Sequence, residues 1–266
     1  MLHFRTYGTA GREIILVHGG PGAPGELAPV GRALANTFRL LEPFQRSSGG
    51  PLLTVDVHID DLRNFILSRS SESRPALLGF SWGAMLALAY GAAYPQAVGP
   101  MILVGCGTFN EVSRAQLNRT LHQRMNATIR ESERRASSLP SDGERLQATI
   151  AAQLPLYVFE PVTVGTETER FDARGHTETW SDMLHLQNSG TYPSAFEAIK
   201  TPILMLHGDF DPHPGSLIRS SLEPYLSQLE YRELSRCGHY PWIERYASEE
   251  FYATIRDWFG TQRPPM

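Results

Sequence analysis

The chain has 266 residues, of which 41% are hydrophobic and 20% charged, with a formal net charge of −4. That composition belongs to an ordinary folded protein; it excludes a disordered chain, a collagen-like repeat and a disulfide scaffold, and it leaves no basic field for nucleic acid. The two cysteines, Cys106 and Cys237, form no CxxC pair, which fits a reducing compartment. The first seven residues are polar and charged rather than signal-like, and the longest nearly apolar stretch, 83–94, is too short to span a bilayer. The reading is a cytoplasmic chain with no membrane anchor. Lys200 is the only lysine among 24 basic residues, an excess of arginine that reflects coding bias rather than function.

The first buried strand is predicted at 14–17, a continuous Ile-Ile-Leu-Val run. It runs into His18-Gly19-Gly20-Pro21-Gly22, where glycine lets the backbone approach a reacting carbonyl. Gly20 N–H is a candidate oxyanion donor, with Gly19 as a substitute. A phosphate-binding glycine loop is the competing reading, but Pro21, Pro24 and the missing lysine oppose it. His18 reads as a loop-holder. A helix follows Thr54, with Val55, Ile59, Leu62, Phe65 and Ile66 on one face.

The second strand, at 76–78, leads into Gly79-Phe80-Ser81-Trp82-Gly83, and a helix of small residues follows. Strand, sharp turn and helix around G-x-S-x-G is the setting of an exposed, activated serine. Ser81 is the candidate nucleophile and the Trp82 N–H the second oxyanion donor. A third strand is predicted at 101–104. The stretch 108–196 then breaks the strand–helix rhythm with Arg-, Glu- and Ser-rich helical segments, and reads as an insertion. Leu154, Tyr157, Phe159, Trp180, Met183 and Leu184 within it either line a pocket or pack the insertion down.

The fourth strand, 203–206, ends in His207-Gly208-Asp209-Phe210-Asp211. A carboxylate after a strand and after the nucleophile can orient an imidazole. Asp209 and Asp211 compete, and Asp211 is preferred because the chain needs a few residues to turn back. With His213 the segment also reads Asp-x-Asp-x-His, a metal pattern, but no second ligand cluster supports it and no metal is expected. Strand-like 231–234 precedes Cys237-Gly238-His239, and His239 is the candidate general base. A last helix carries Phe251, Ile255, Trp258 and Phe259, with Ser248 as its N-cap and Gly260 as its stop. Residues 261–266 read as a frayed tail.

These segments together resemble the α/β-hydrolase fold family, and more narrowly its prolyl iminopeptidase branch. The carriers are the residues 18–22, Phe80-Ser81-Trp82-Gly83 continuing through Leu86-Ala87-Leu88-Ala89-Tyr90, the strand end 208–211 and the Gly238-His239 pair. The resemblance covers 1–107 and 197–260, and the insertion only in its placement and helical character. It implies an α/β architecture: a mostly parallel sheet flanked by helices, with a mainly helical cap at 108–196. Two departures stand out. Members of that branch carry Asp-Gln-Arg-Gly-x-Gly-x-Ser after an early strand, and here only Gln45-Arg46 survive of it. They also bind the substrate amine through cap glutamates, commonly in a Trp-Glu pair, and here Ser181 follows Trp180. Glu160, Glu167, Glu169 and Glu178 are the possible substitutes.

The expected activity is a cofactor-independent serine hydrolase acting on a small ester or amide through Ser81, His239 and Asp211. The alternatives are iminopeptidase action, C–C cleavage or cofactor-free oxidation by the same triad, and a ligand-binding receptor on the same scaffold. A small molecule is the expected partner, with no nucleic acid and no membrane.

Overall fold

The computed structural model describes residues 2–163 and 169–262. Among them seven strands form one sheet: β1 (Phe4–Tyr7), β2 (Glu13–Val17), β3 (Arg39–Pro43), β4 (Ala76–Phe80), β5 (Met101–Val104), β6 (Ile203–Gly208) and β7 (Leu229–Leu234). Their order is β1-β3-β2-β4-β5-β6-β7. Only β1 runs antiparallel to its neighbour. The α/β class is therefore as expected. β3 did not stand out in the sequence because its apolar run is only Leu40-Leu41.

Continuous apolar strands follow from burial on both faces. Ile15, Val17, Leu77, Leu103 and Met205 pack on one side with residues of α2 (Val55–Arg69), α3 (Trp82–Ala93) and α8 (Gly215–Leu222). Ile14, Leu16, Leu78, Ile102 and Leu204 pack on the other with α1 (Ala28–Leu34) and α9 (Ser248–Thr261). The Thr54 hydroxyl caps α2 by accepting from Val57 N–H. At α9 the expected boundaries need correcting. Ala247 occupies the N-cap position, and the helix runs through Gly260 to Thr261. One glycine costs a helix only about 1 kcal/mol, and burial of Trp258 and Phe259 outweighs that. Residues 263–266 of the expected tail lie outside the described ones.

The chain turns in opposite directions after β2 and β4, which are neighbours. It goes outward to β3 after one and to β5 after the other. Such a reversal leaves a crevice at the C-terminal strand ends, where open α/β sheets bind ligands. Between β5 and β6 lie α4 (Glu111–Arg124), α5 (Ala127–Ser137), α6 (Asp142–Gln153) and α7 (Ala173–Asn188). Each starts at a side-chain cap, from Asn110, Asn126, Ser141 and Asp172 respectively. Helix α6 buries no residue, whereas α7 buries Gly175, Thr179, Met183 and Gln187. No described helix is long and apolar enough to cross a membrane.

Candidate active site

Ser81 stands at the turn between β4 and α3 with φ +53° and ψ −116°. A non-glycine residue there stores roughly 1–3 kcal/mol of strain and persists only where its surroundings fix it. Ser81 N–H donates to Val104 O at 2.8 Å, and Ser81 O accepts from Ala84 N–H at 3.1 Å. A Cβ on Gly83 would strike the Val17 carbonyl oxygen, so helix α3 can begin this close to β2 only with glycine at that position.

Asp211 lies in the loop after β6 and His239 in the loop after β7. His239 Nδ1 is 2.7 Å from Asp211 Oδ2, and both residues are buried. Asp209 is turned elsewhere: its carboxylate accepts from Cys237 N–H at 3.0 Å. Burial works to raise the Asp211 carboxyl, but His239, His213 and His207 hold it well below the ordinary carboxylate range. Burial pushes His239 below the ordinary imidazole value; Asp211 opposes that and His213 adds to it. His239 N–H donates to Tyr157 O at 2.7 Å, and its ring lies 4.9 Å from the Phe80 ring.

The loop after β2 approaches the same strand ends. Gly20 has φ +52°, a conformation that favours glycine. Gly19 N–H is engaged by Glu26 Oε1, which leaves it poorly placed to serve as the oxyanion donor. Burial pushes the Glu26 carboxyl up to about 7, and its Oε2 is buried without a hydrogen-bond partner. His18 Nε2 accepts from Gln45 N–H at 3.0 Å, Gln45 Nε2 donates to His18 O at 3.0 Å, and Trp82 Nε1 donates to Gln45 Oε1 at 2.8 Å. Gln45 thus bridges the glycine loop to the residue after Ser81. Burial lowers His18 to about 4, so the ring stays a neutral acceptor.

Helix α7 and the segment before it come down over these loops. His176 Nδ1 is 2.8 Å from Pro21 O, and the Trp180 ring is 5.9 Å from that of Trp82. The Tyr157 ring is 5.6 Å from His239. Of the acids considered for an amine site, Glu160 pairs with Arg245 at 2.7 Å and Glu169 with Arg5 at 2.9 Å. Glu178 accepts from Leu53 N–H at 3.0 Å and pairs with Arg174. Glu167 lies outside the described residues.

Glu244 had no sequence signal. Fully buried, its carboxylate accepts from Gly238, Phe159 and Glu160 N–H at 2.9, 2.8 and 2.8 Å. It ties the histidine loop to the segment before α7. Gln45 had a signal, in the surviving Gln-Arg pair. His213, weighed only as part of a metal pattern, bonds Asp211 Oδ1 through Nδ1 at 3.0 Å. Asp211, His213 and His239 bring ligand-type atoms within 4.8 Å of one another. A cation there would have to displace the hydrogen bonds between Asp211 and the two rings.

A model of the alpha/beta hydrolase fold family matches residues 13–246. In sequence the chain is similar to a 2-hydroxy-6-oxononadienedioate/2-hydroxy-6-oxononatrienedioate hydrolase from Paraburkholderia phymatum, 23% identical over 294 residues covering 97% of this chain and 91% of that one. In structure it is similar to a thermophilic esterase from Thermogutta terrifontis, with a TM-score of 0.66 at 20% identity over 97% of this chain and 93% of that one. It is similar also to a proline iminopeptidase from Mycobacterium smegmatis, with a TM-score of 0.64 at 15% identity and the same coverage of both chains. At such identities the structural likenesses speak for the fold alone. The family match spans most of the chain, which therefore belongs to the alpha/beta hydrolase fold family and is a hydrolase.

Proposed function

We propose that the chain hydrolyses a small acyl ester through a Ser81–His239–Asp211 triad. The observation that carries the reading is the strained serine turn at the end of β4, together with the 2.7 Å His239–Asp211 pair beyond β6 and β7. Ser81 Oγ attacks the carbonyl carbon and His239 Nε2 takes its proton. Asp211 holds the imidazole and stabilises its charged form. Trp82 and Gly20 N–H groups receive the oxyanion, where one donor is typically worth ~3–4 kcal/mol. His239 returns the proton to the departing alcohol, leaving an acyl-Ser81. Water then attacks with His239 as base, and the acid departs.

The ester reading is preferred to iminopeptidase action because an ammonium needs a carboxylate near the scissile bond. Glu160, Glu169 and Glu178 are each committed to an arginine. A fluorophosphonate probe should label Ser81 and lose all labelling in Ser81→Ala; labelling that persists sinks the nucleophile. p-Nitrophenyl esters should be cleaved faster than prolyl arylamides, and blocking the amine of an aminoacyl ester should change kcat/KM by less than about tenfold. A hundredfold loss on blocking would move the reading to an aminopeptidase. The hydroxy-oxo dicarboxylate named for the Paraburkholderia relative belongs in the same panel.

A further inference from the structure

Asp211 carries two imidazoles, and the chemistry above uses one. His239 Nδ1 bonds Oδ2 at 2.7 Å, while His213 Nδ1 and His213 N–H bond Oδ1 at 3.0 and 2.9 Å. The two rings are stacked, with centroids 4.6 Å apart and planes 20° from parallel. Each turns Nδ1 to the carboxylate, so each Nε2 lies on the far side of its ring. Pro212 and Pro214 flank His213 and restrict its backbone. Tyr157 of the inserted segment packs its ring 6.1 Å from that of His213.

Two consequences follow from this arrangement. The ring adds a second donor to Oδ1 beside the His213 backbone N–H, and together with His239 on Oδ2 this holds the carboxylate against rotation about its Cβ–Cγ bond. A charge on a ring stacked at 4.6 Å also opposes a second charge on its neighbour, because two like charges at that range disfavour each other. The other groups around the pair do not duplicate this. His207 Nε2 is 3.4 Å from Asp211 Oδ2, but burial lowers His207 to about 4. Burial keeps the Tyr157 and Tyr240 phenols neutral, and the Tyr231 hydroxyl donates to Glu233. The Arg124 guanidinium lies over the Phe210 ring and donates to Leu156 O at 2.6 Å.

We propose that His213 is a positioning residue for the general base: it fixes the Asp211 carboxylate for His239 through its ring Nδ1 and stacks on the His239 ring. This rests on the assignment of Asp211 and His239 above.

The test is kcat and KM on p-nitrophenyl butyrate from pH 5 to 9 for the parent, His213→Asn and His213→Phe. An asparagine amide nitrogen sits where the imidazole Nδ1 sits, so it keeps the bond to Asp211 without the charge. Phenylalanine keeps the stacked ring and the backbone N–H bond to Oδ1 but removes the side-chain donor. At pH 8, His213→Asn should stay within about threefold of the parent kcat, and His213→Phe, which loses one of two donors to Oδ1, should lose roughly five- to thirtyfold with KM changed less than about threefold. Equal damage by Asn and Phe overturns the proposal. So does a loss of parent activity on adding EDTA, since a bound cation would then act where the imidazole is assigned.

Should the variants not fold or the ester not be cleaved, the parent protein still decides. Its His213 ring Nδ1–H should give a slowly exchanging proton signal typical of a hydrogen bond to a carboxylate, beside that of His239; a freely exchanging His213 ring proton overturns the role. That measurement needs no turnover, so a failed hydrolase assignment, seen as unlabelled Ser81, is told apart from a failed role for His213.

Discussion

The strand ends and the inserted helices hold their residues by different means. Around Ser81 and His239 the fixing is mostly done by backbone. Ser81 N–H extends the β4–β5 ladder to Val104, and glycines at 79 and 83 allow packing that no side chain could share. The segment between β5 and β6 has a few backbone bonds to the core, such as His239 N–H to Tyr157 O, but its longest helix is held by carboxylates that accept from core N–H groups. Asp172 takes Ser48, Glu178 takes Leu53, and Asp182 takes Val55. Helix α7 is pinned along its length by these bonds, whereas α5 and α6 stand largely in solvent. A residue lost at the strand ends should therefore damage chemistry and spare folding. An attachment lost under the insert should do the reverse.

The largest effect is expected where the proposed triad is broken. Ser81→Ala should lower kcat by at least about 10⁴-fold, and Asp211→Asn by about 10⁴-fold, both with thermal unfolding near that of the parent. Asp209→Asn should be much milder, because Asp209 holds Cys237 N–H rather than the imidazole. Steady-state ester kinetics on the three variants check this ranking. The reverse order for the two aspartates would mean that the wrong carboxylate has been assigned.

The complementary break is Glu244→Ala. It removes the acceptor of three N–H groups in the buried junction between the histidine loop and the insert. Each unsatisfied donor costs about 1–3 kcal/mol, so a loss of several kcal/mol in urea unfolding is expected. Asp182→Ala removes one such bond, from Val55 N–H at the start of α2, and should cost about 1–2 kcal/mol. If Glu244→Ala unfolds no earlier than Asp182→Ala, the insert is not held as described.

This difference also sets how much could be read from the sequence. Buried parallel strands leave uninterrupted apolar runs, and four of the strands announce themselves that way. Gly79 and Gly83 are legible because packing against β2 and α3 excludes any other residue there. Asp172, Glu178, Asp182 and Glu244 carry no such pattern. A carboxylate that caps distant backbone looks the same in sequence as one dissolved in water. The cap acids considered as amine binders illustrate the point, since only their arginine and backbone partners show them to be engaged. His213 was half legible: its spacing from Asp211 was visible, but its stacking on a residue from another strand end was not. The α9 boundary failed for a related reason, because tertiary burial of Trp258 and Phe259 overrides the local cost of Gly260.

Acid should unsettle both regions through buried imidazoles. Burial lowers His18, His58 and His207 to about 4. Between about 6.5 and 4 the unfolded chain binds protons that the folded chain does not, so stability falls as pH drops through that window. His58 sits under α7, with Nε2 2.9 Å from Thr179 Oγ1, whereas His18 opens the glycine loop after β2 and its Nε2 accepts from Gln45 N–H. His58→Gln should flatten the decline measured by urea unfolding between pH 7 and 4.5, by about 1–3 kcal/mol. An unchanged slope would show that His58 is already protonated in the folded state.

The smallest effect concerns Glu26, and its sign is opposite. Burial raises this carboxyl from 4.5 to about 7, so the folded state keeps a proton that the unfolded state has released. Its contribution is fully present below about pH 4.5 and is lost as pH rises through 7. Above that, a carboxylate with a buried, unpartnered Oε2 opposes folding. Glu26→Gln removes the charge, and its amide oxygen can still accept from Gly19 N–H. The variant should be more stable than the parent at pH 8, by roughly 1–2 kcal/mol, and no more stable at pH 5. Because Gly19 stays engaged and Gly20 keeps the proposed oxyanion role, kcat/KM should change less than about threefold. Urea unfolding of both proteins at the two pH values, beside ester kinetics at pH 8, is the measurement. A variant equally destabilised at both would mean that the second Glu26 oxygen has a partner at neutral pH. A large loss of kcat with intact stability would instead place Glu26 among the groups that shape the glycine loop for its proposed oxyanion role, and the contrast between strand ends and insert would have to be redrawn around it.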